Sequence, residues 1–317
     1  MSFSQKAKDE AAKLMITDED TSLAELMAYV RYVSSISFIS GKVAVSFRVQ
    51  KAALARRIFT VIRNLYDTDL DVGISKMTQL KKMNIYTIVL NDTDIVMQMF
   101  KDTRMEGFLD VNKVPRAIKE SDDMRRSYLR AAFLAVGSIT NPERGYHLEM
   151  LFESEFEANE VKDLMNVYGL GAKYVMRKGN YITYLKGAEE ISDFLTVIGA
   201  MRAVLSFENI RVVKDVRNNA NRRTNCETAN IQKTVDASTR QVADIEYIDE
   251  MIGLDALDAD LKELAILRLN NRDASLAELG RLMEPELGKS GVNHRLKKLA
   301  EIAENLRINE LRINEEN

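Results

Sequence analysis

The chain has 317 residues, 46% of them hydrophobic and 29% charged, with a formal net charge of −3. That leaves room for about two domains with a sizeable core, and the slight acidity means that any nucleic-acid surface has to come from local clustering. A single cysteine, Cys226, rules out an internal disulfide and fits a reducing compartment; with two histidines, His147 and His294, neither a structural zinc site nor any other cofactor is expected. No apolar run reaches the ~18–20 residues of a membrane span. The start, Met1-Ser2-Phe3-Ser4-Gln5-Lys6, has no secretory h-region, so a cytoplasmic location is expected.

In chain order, Lys6–Leu14 reads as a short helix. Ser22-x-x-Glu25 has the form of a capping box, which puts the start of the next helix at Ser22 and its end near Ser34-Ser35. From Gly41 to Val49 the pattern alternates, with Val43, Val45, Phe47 and Val49 on one face and Lys42, Ala44, Ser46 and Arg48 on the other. This is a half-buried strand with a basic outer face. Helix is expected from Gln50 to Tyr66, strand over Asn84–Leu90 and a short helix over Asp92–Phe100. The second half follows the same order: helix Met124–Val136, a turn through Asn141-Pro142, strand Tyr146–Phe152, helix Glu155–Tyr168, a hairpin of Lys173–Arg177 and Tyr181–Leu185, and helix Ala188–Ala200. Beyond Met201 no strand signal appears. Phe207–Met251 is polar and mostly helical, and Asn218–Asn230 is rich in Asn, which suggests a hinge. An amphipathic helix at Asp258–Asn270 precedes a second capping box, Ser275-x-x-Glu278, which opens Leu276–Met283; Pro285 and Gly288 break the chain before helix Lys289–Ala303.

The stretch Leu129–Pro142 has a weaker copy at Leu23–Ile36, with Gly137 standing over Ser34, a separation of 137 − 34 = 103 residues. A repeat on this scale is two fused half-domains, since a solenoid has a period of roughly 20–50 residues. Small residues at i, i+4 (Ala24 and Ala28, Ala131 and Ala135) allow two such helices to approach closely. Two αββα-like halves make an α+β domain with antiparallel sheets.

Three clusters are candidates for binding. From Gly41 to Leu65 there are six basic residues, Lys42, Arg48, Lys51, Arg56, Arg57 and Arg63, and no acid; the bland alternative is a solvated basic face. Arg222 and Arg223, with Arg211, Lys214 and Arg217, either touch nucleic acid or solubilise the hinge. The C-terminal helices have a helix-turn-helix layout. In the last of them Val292, Leu296 and Leu299 face inward, while Ser290, Asn293, His294 and Lys297 face out beside Lys289, Arg295 and Lys298. Asn and Ser hydrogen-bond base edges, and Lys reaches guanine or phosphate. The alternative there is a basic three-helix interaction bundle. Cys226 has no partner for thiol chemistry.

The paired helices resemble the LAGLIDADG motif of homing endonucleases, and the whole chain resembles the WhiA family of regulators linked to sporulation and cell division. The resemblance rests on Leu129–Pro142, Tyr146-His-Leu-Glu149, Asn221–Ile231 with Lys233, Ser275–Gly280 and Lys289–Leu296. It implies a pseudo-twofold α+β domain over 1–215, a hinge and linker helix over 216–252, an all-α helix-turn-helix domain over 253–306 and a frayed tail over 307–317. It also implies sequence-specific binding of double-stranded DNA led by the C-terminal helices, location on the nucleoid, an iron–sulfur partner regulator in some members, and division proteins as other partners. In the nucleases an acid closes each motif helix and holds the cleaving metal; here those positions are Val33 and Val136, so no enzyme activity is expected. The outer face with Lys42 and Arg48 corresponds to the DNA saddle, although Glu149 in the second half opposes phosphate. Ser34 in place of Gly, with the bulk of Tyr29 and Tyr32, implies a looser helix pair than in a nuclease. The rivals are a nuclease using shifted acids such as Glu25 or Glu149, and an interaction scaffold for division proteins.

Overall fold

A computed structural model describes residues 1–39, 42–77, 83–104 and 114–315. The chain divides into two parts, Met1–Asp215 and Val216–Asn317. The first begins with α1 (Phe3–Ala11), capped by the Ser2 side chain. Then α2 (Glu19–Val33), β1 (Ser34–Ile39), β2 (Lys42–Val49), α3 (Ala52–Tyr66), β3 (Asp71–Met77), β4 (Met83–Leu90) and α4 (Thr93–Asp102) form one half. After the short α5 (Arg116–Glu120), the same order returns as α6 (Asp122–Val136), β5 (Gly137–Ile139), β6 (Leu148–Phe152), α7 (Glu155–Asn166), β7 (Lys173–Arg177), β8 (Asn180–Leu185) and α8 (Ala188–Val197). The two sheets have matching orders, β1-β2-β4-β3 and β5-β6-β8-β7, and every pairing is antiparallel. This is the expected α+β architecture of two fused half-domains.

Local chemistry explains most boundaries. The hairpin joining β7 to β8 turns on Lys178 and Gly179, both at positive φ, with Arg177 opposite Asn180; two such residues form the turn whose twist suits adjacent strands. Ser154 and Glu157 form a full capping box at the start of α7. The start of α2 differs from the expectation. The helix begins at Glu19, because the Asp18 side chain accepts the Thr21 N–H at 2.8 Å and so caps a turn earlier. Ser22 then lies inside the helix, its hydroxyl bonded to the Asp18 carbonyl at 2.7 Å, and Glu25 is free for another purpose.

The core of this part joins both halves. Residues 45, 47 and 49 of β2 face inward with Ile58, Val61 and Ile62 of α3, and α6 contributes Tyr128, Leu129 and Phe133. At roughly 25 cal/mol per Å², each fully buried Leu, Ile or Phe contributes about 1.5–3 kcal/mol. The most extensive packing between any two elements is that of α2 on α6.

The second part holds most of α9 (Met201–Ile252), then α10 (Ala259–Asn270), α11 (Leu276–Leu282) and α12 (Lys289–Glu315). The stretch 216–252 is helical throughout. The stretch after Arg307, expected to fray, continues as helix to Glu315: Arg307 pairs with Asp244 at 2.7 Å, and the Tyr247 hydroxyl donates to Glu310 at 2.7 Å. Gly41, where the first strand was expected to begin, and the tail residues Glu316 and Asn317 lie outside the described residues. Ile245, Ile248, Leu261, Leu264, Leu279, Val292 and Leu296 build a separate core.

Candidate nucleic-acid interface

In the second part, the Ser275 hydroxyl accepts the Glu278 N–H at 3.3 Å and the Glu278 carboxylate accepts the Ser275 N–H at 2.8 Å, which fixes the start of α11. The Ser275 backbone bond holds the Glu278 carboxyl below its ordinary value. Gly280 is what brings α12 close. A Cβ there would stand 2.1 Å from the Leu287 carbonyl oxygen and 3.2 Å from Val292, and the Leu287 N–H donates to the Gly280 carbonyl at 2.9 Å. The turn before α11 is held by Arg268, which is only 2% exposed. Its Nη1 donates to the carbonyls of Ala274 (2.7 Å), Asn271 (3.4 Å) and Arg272 (3.4 Å). Burial lowers its pKa, and no carboxylate pairs with it among the described residues. Its spacing from Leu261, Leu264 and Ala265 (i+7, i+4 and i+3) puts it on the buried stripe of α10, a signal the sequence carries.

On α12 the expected inward residues are buried: Val292, Leu296 and Leu299. Lys289, Ser290, Asn293, His294, Lys297 and Lys298 are exposed. Arg295 departs from the expected set. Its Nη2 bonds Asp260 of α10 at 2.7 Å and its Nη1 approaches the Met283 sulfur at 3.8 Å, so the side chain ties helices together. The face left open carries hydroxyl, amide, imidazole and ammonium groups at a helix N-terminus, where free N–H groups favour anions.

In the first part, α2 and α6 form a tight seam. Ala24, Ala28 and Ala131 are fully buried, while Ala135 is half-buried. The phenol oxygens of Tyr32 and Tyr128 meet across the seam at 2.7 Å. Burial pushes both phenols up, so both stay protonated. Ser34 and Gly137 end their helices with nearly the same backbone, φ −92°, ψ 159° and φ −82°, ψ 157°. A Cβ on Gly137 would lie 2.3 Å from the Phe133 ring; Ser34 tolerates its Cβ, and its hydroxyl donates to the Val30 carbonyl at 2.5 Å.

Glu25 sits beside this seam, 2% exposed. It accepts Arg57 Nη2 at 2.6 Å and Nε at 2.7 Å, Arg130 Nη1 at 3.1 Å and the Tyr29 hydroxyl at 3.2 Å. Burial works against the Arg57 charge, but the Glu25 contacts hold its pKa above the ordinary value. Arg57 also donates to the Ala12 and Leu14 carbonyls, and Arg130 to the Ile198 carbonyl at 2.9 Å. Arg57, expected on a DNA-facing surface, is thus a buried structural cation, and Glu25 has no oxygen to spare for a metal. Val33 and Val136 are the last residues of α2 and α6 and pack against the core. Among the described residues no group of three or more His, Cys, Asp or Glu comes together to hold a metal ion.

Lys42 and Arg48 are exposed on the outer face of the first sheet, beside Ser35 and Ser46, whose hydroxyls lie 3.1 Å apart. Arg56 is exposed too, but α3 packs on the inner face of that sheet, so Arg56 does not join Lys42 and Arg48 on one surface. In the second sheet, Glu149 accepts the Ser138 hydroxyl at 3.3 Å and lies 3.3 Å from His147. Arg222 and Arg223 are exposed on α9, where Arg223 pairs with Glu227 at 3.0 Å.

Two repeats of αββα type meeting at a helix seam, followed by a capped helix-turn-helix, define a LAGLIDADG-type domain joined to a helix-turn-helix domain. The chain belongs to the WhiA family. The WhiA N-terminal LAGLIDADG-like domain matches residues 19–105, the WhiA LAGLIDADG-like domain 125–217 and the WhiA C-terminal HTH domain 220–303. Among its relatives, the probable cell division protein WhiA of Clostridium botulinum (strain Eklund 17B / Type B) is 41% identical over 312 residues, covering 97% of this chain and 99% of that protein. The probable cell division protein WhiA of Ruminiclostridium cellulolyticum is 42% identical over 315 residues, covering 98% and 100%. The crystal structure of full-length WhiA from Thermatoga maritima shares the fold, with a TM-score of 0.57 at 24% identity over 96% of this chain and 99% of that one. No helix among the described residues is long and apolar enough to cross a membrane.

Proposed function

We propose that the protein is a non-enzymatic, sequence-specific regulator that binds double-stranded DNA and is linked to cell division, as the names of its relatives suggest. The N-terminal turns of α12 enter the major groove. Asn293 and Ser290 reach base edges, His294 lies beside them, and Lys289, Lys297 and Lys298 hold phosphates. Arg295 sets the pose of α12 through Asp260. The observation that carries this reading is the division of α12 into a buried stripe, Val292, Leu296 and Leu299, and an open polar and basic stripe starting at the helix N-terminus.

The LAGLIDADG-type part acts as a framework and a weak grip. Lys42 and Arg48 contact phosphates without reading sequence, which limits their contribution to a salt-sensitive one. Val33 and Val136 carry no metal-binding oxygen, so phosphodiester hydrolysis by the nuclease route is absent. Such a protein works in the cytoplasm, on the nucleoid.

The test is selection of bound duplexes from a random library with the full chain, followed by anisotropy titration of the winning duplex. In the double variant Asn293→Ala, Lys297→Ala, loss of the Asn293 base contact should cost about 1–3 kcal/mol, and loss of the Lys297 phosphate contact should weaken binding across sequences and lower the salt slope by about one. Unchanged affinity in the double variant would remove α12 as the reading helix.

A further inference from the structure

Within α9, every residue from Val216 to Asp236 is exposed, although all are helical. A helix without packing depends on the propensity of its residues. This one is poor by that measure: it carries Asn218, Asn219, Asn221, Asn225 and Asn230, all weaker helix formers than Ala, Lys or Glu. A helix that only had to bridge solvent would be served better by those residues. The amides therefore point to a use of their own.

At 3.6 residues per turn, Asn218, Asn221, Arg222, Asn225, Gln232 and Lys233 fall on one stripe about 22 Å long. Ala229, a small residue that permits close approach, lies on the same line. No carboxylate interrupts the stripe between Asn218 and Lys233; Asp215 and Asp236 stand on the same line and bound it at either end. Glu227 lies on the opposite flank, bound to Arg223 at 3.0 Å. That flank also carries Ile231 and Val235 and continues into the buried Val242 and Ile245. The side chains of Asn218, Asn221, Arg222, Asn225 and Lys233 make no hydrogen bond or ion pair among the described residues, and the Gln232 side chain donates to Asp236 at 2.8 Å.

We propose, on the basis of the DNA-binding function above, that this stripe of α9 is a second DNA-reading surface that lies in the major groove of duplex DNA. The groove, roughly 12 Å wide, admits a helix; Asn and Gln pair bidentately with adenine, and Arg pairs with guanine. A continuous helix crossing the groove over several turns is a known docking geometry. The stripe has no aromatic or apolar anchor of the kind that centres a protein interface. It also lacks the stacking rings that single-stranded RNA requires. Its charge and its amides are complementary to duplex DNA.

The test uses the full-length chain carrying Asn221→Ala, Arg222→Ala and Asn225→Ala. Alanine favours helix, so circular dichroism should be preserved. Duplexes selected from a random library by the wild type serve as probes, with Lys289→Ala plus Lys297→Ala in α12 as the reference variant. The α9 triple variant should bind the selected duplex at least about tenfold more weakly, and its own selection should yield a motif with fewer specified positions. Arg222→Gln, which removes the charge and keeps helix propensity, should lower the salt dependence on an unselected duplex, where the guanidinium meets phosphate, by about one unit of slope. If the α9 variants match the wild type while the α12 variant loses binding, the α9 proposal is wrong and the α12 reading stands. If neither weakens binding, both are wrong. Wild-type binding to single-stranded RNA of the same sequence as tightly as to the duplex, abolished by the triple variant, would also overturn the α9 proposal.

Discussion

Glu25 and Arg130, 105 residues apart in the chain, meet at 3.1 Å beside the seam of the two motif helices. Arg57 closes the cluster at 2.6 Å, and all three side chains are largely buried. A buried pair adds little over a well-packed apolar substitute, yet removing one partner leaves uncompensated charge and costs about 3–5 kcal/mol. Glu25→Gln should lower stability by that order in urea unfolding. It should have no effect on supercoiled plasmid incubated with Mg²⁺ or Mn²⁺, which the wild type should leave intact. Nicking by the wild type that disappears in Glu25→Gln would make Glu25 a metal ligand instead.

Lys8 gives the fold a pH dependence of known sign. Its ammonium donates to the Leu134 carbonyl at 3.0 Å and lies 5.4 Å from the centre of the Phe133 ring. Burial, with Lys51 nearby, lowers its pKa from 10.5 to about 8. Between those values the folded state binds fewer protons than the unfolded chain, so stability rises with pH; below pH 8 both states are charged and the burial penalty is carried in full. The rise is at most about 3 kcal/mol, less what solvent screens on the partly exposed side. Urea midpoints at pH 7.5 and 9.5 should show this rise in the wild type and a flatter response in Lys8→Met. An equal rise in both would contradict the assignment.

Gly280 sets the distance between α11 and α12. Gly280→Ala puts a methyl group against the Leu287 carbonyl, a backbone atom that cannot swing away. Overpacking of this kind costs about 1–3 kcal/mol. The thermal transition of the second part should fall, with DNA affinity dropping as α12 shifts. An unchanged transition and unchanged affinity would mean that the turn relaxes freely.

The parts legible in the sequence are those with short-range causes. The seam was visible because small residues recur at helical spacing and are followed by Gly137 or Ser34. The box at Ser275 and the Lys178-Gly179 hairpin follow from local hydrogen bonds and backbone freedom. The failures have long-range causes. Ser22-x-x-Glu25 has the pattern of a capping box, but Asp18 caps first, and Glu25 then meets arginines 32 and 105 residues away. Arg57 and Arg295 look like solvated cations until Glu25 and Asp260 are placed beside them. The strands β1 and β3 carry no clear strand signal, because Ser34–Ile36 belongs to the helix copy and Asp71–Met77 lacks clean alternation.

Whether α12 reads DNA is decided by chromatin immunoprecipitation of the native chain and of the Asn293→Ala, Lys297→Ala variant, expressed at equal levels. The predicted result is a set of discrete sites sharing one motif for the native chain, lost or collapsed to background for the variant. Sites of the same position and height in both would contradict it.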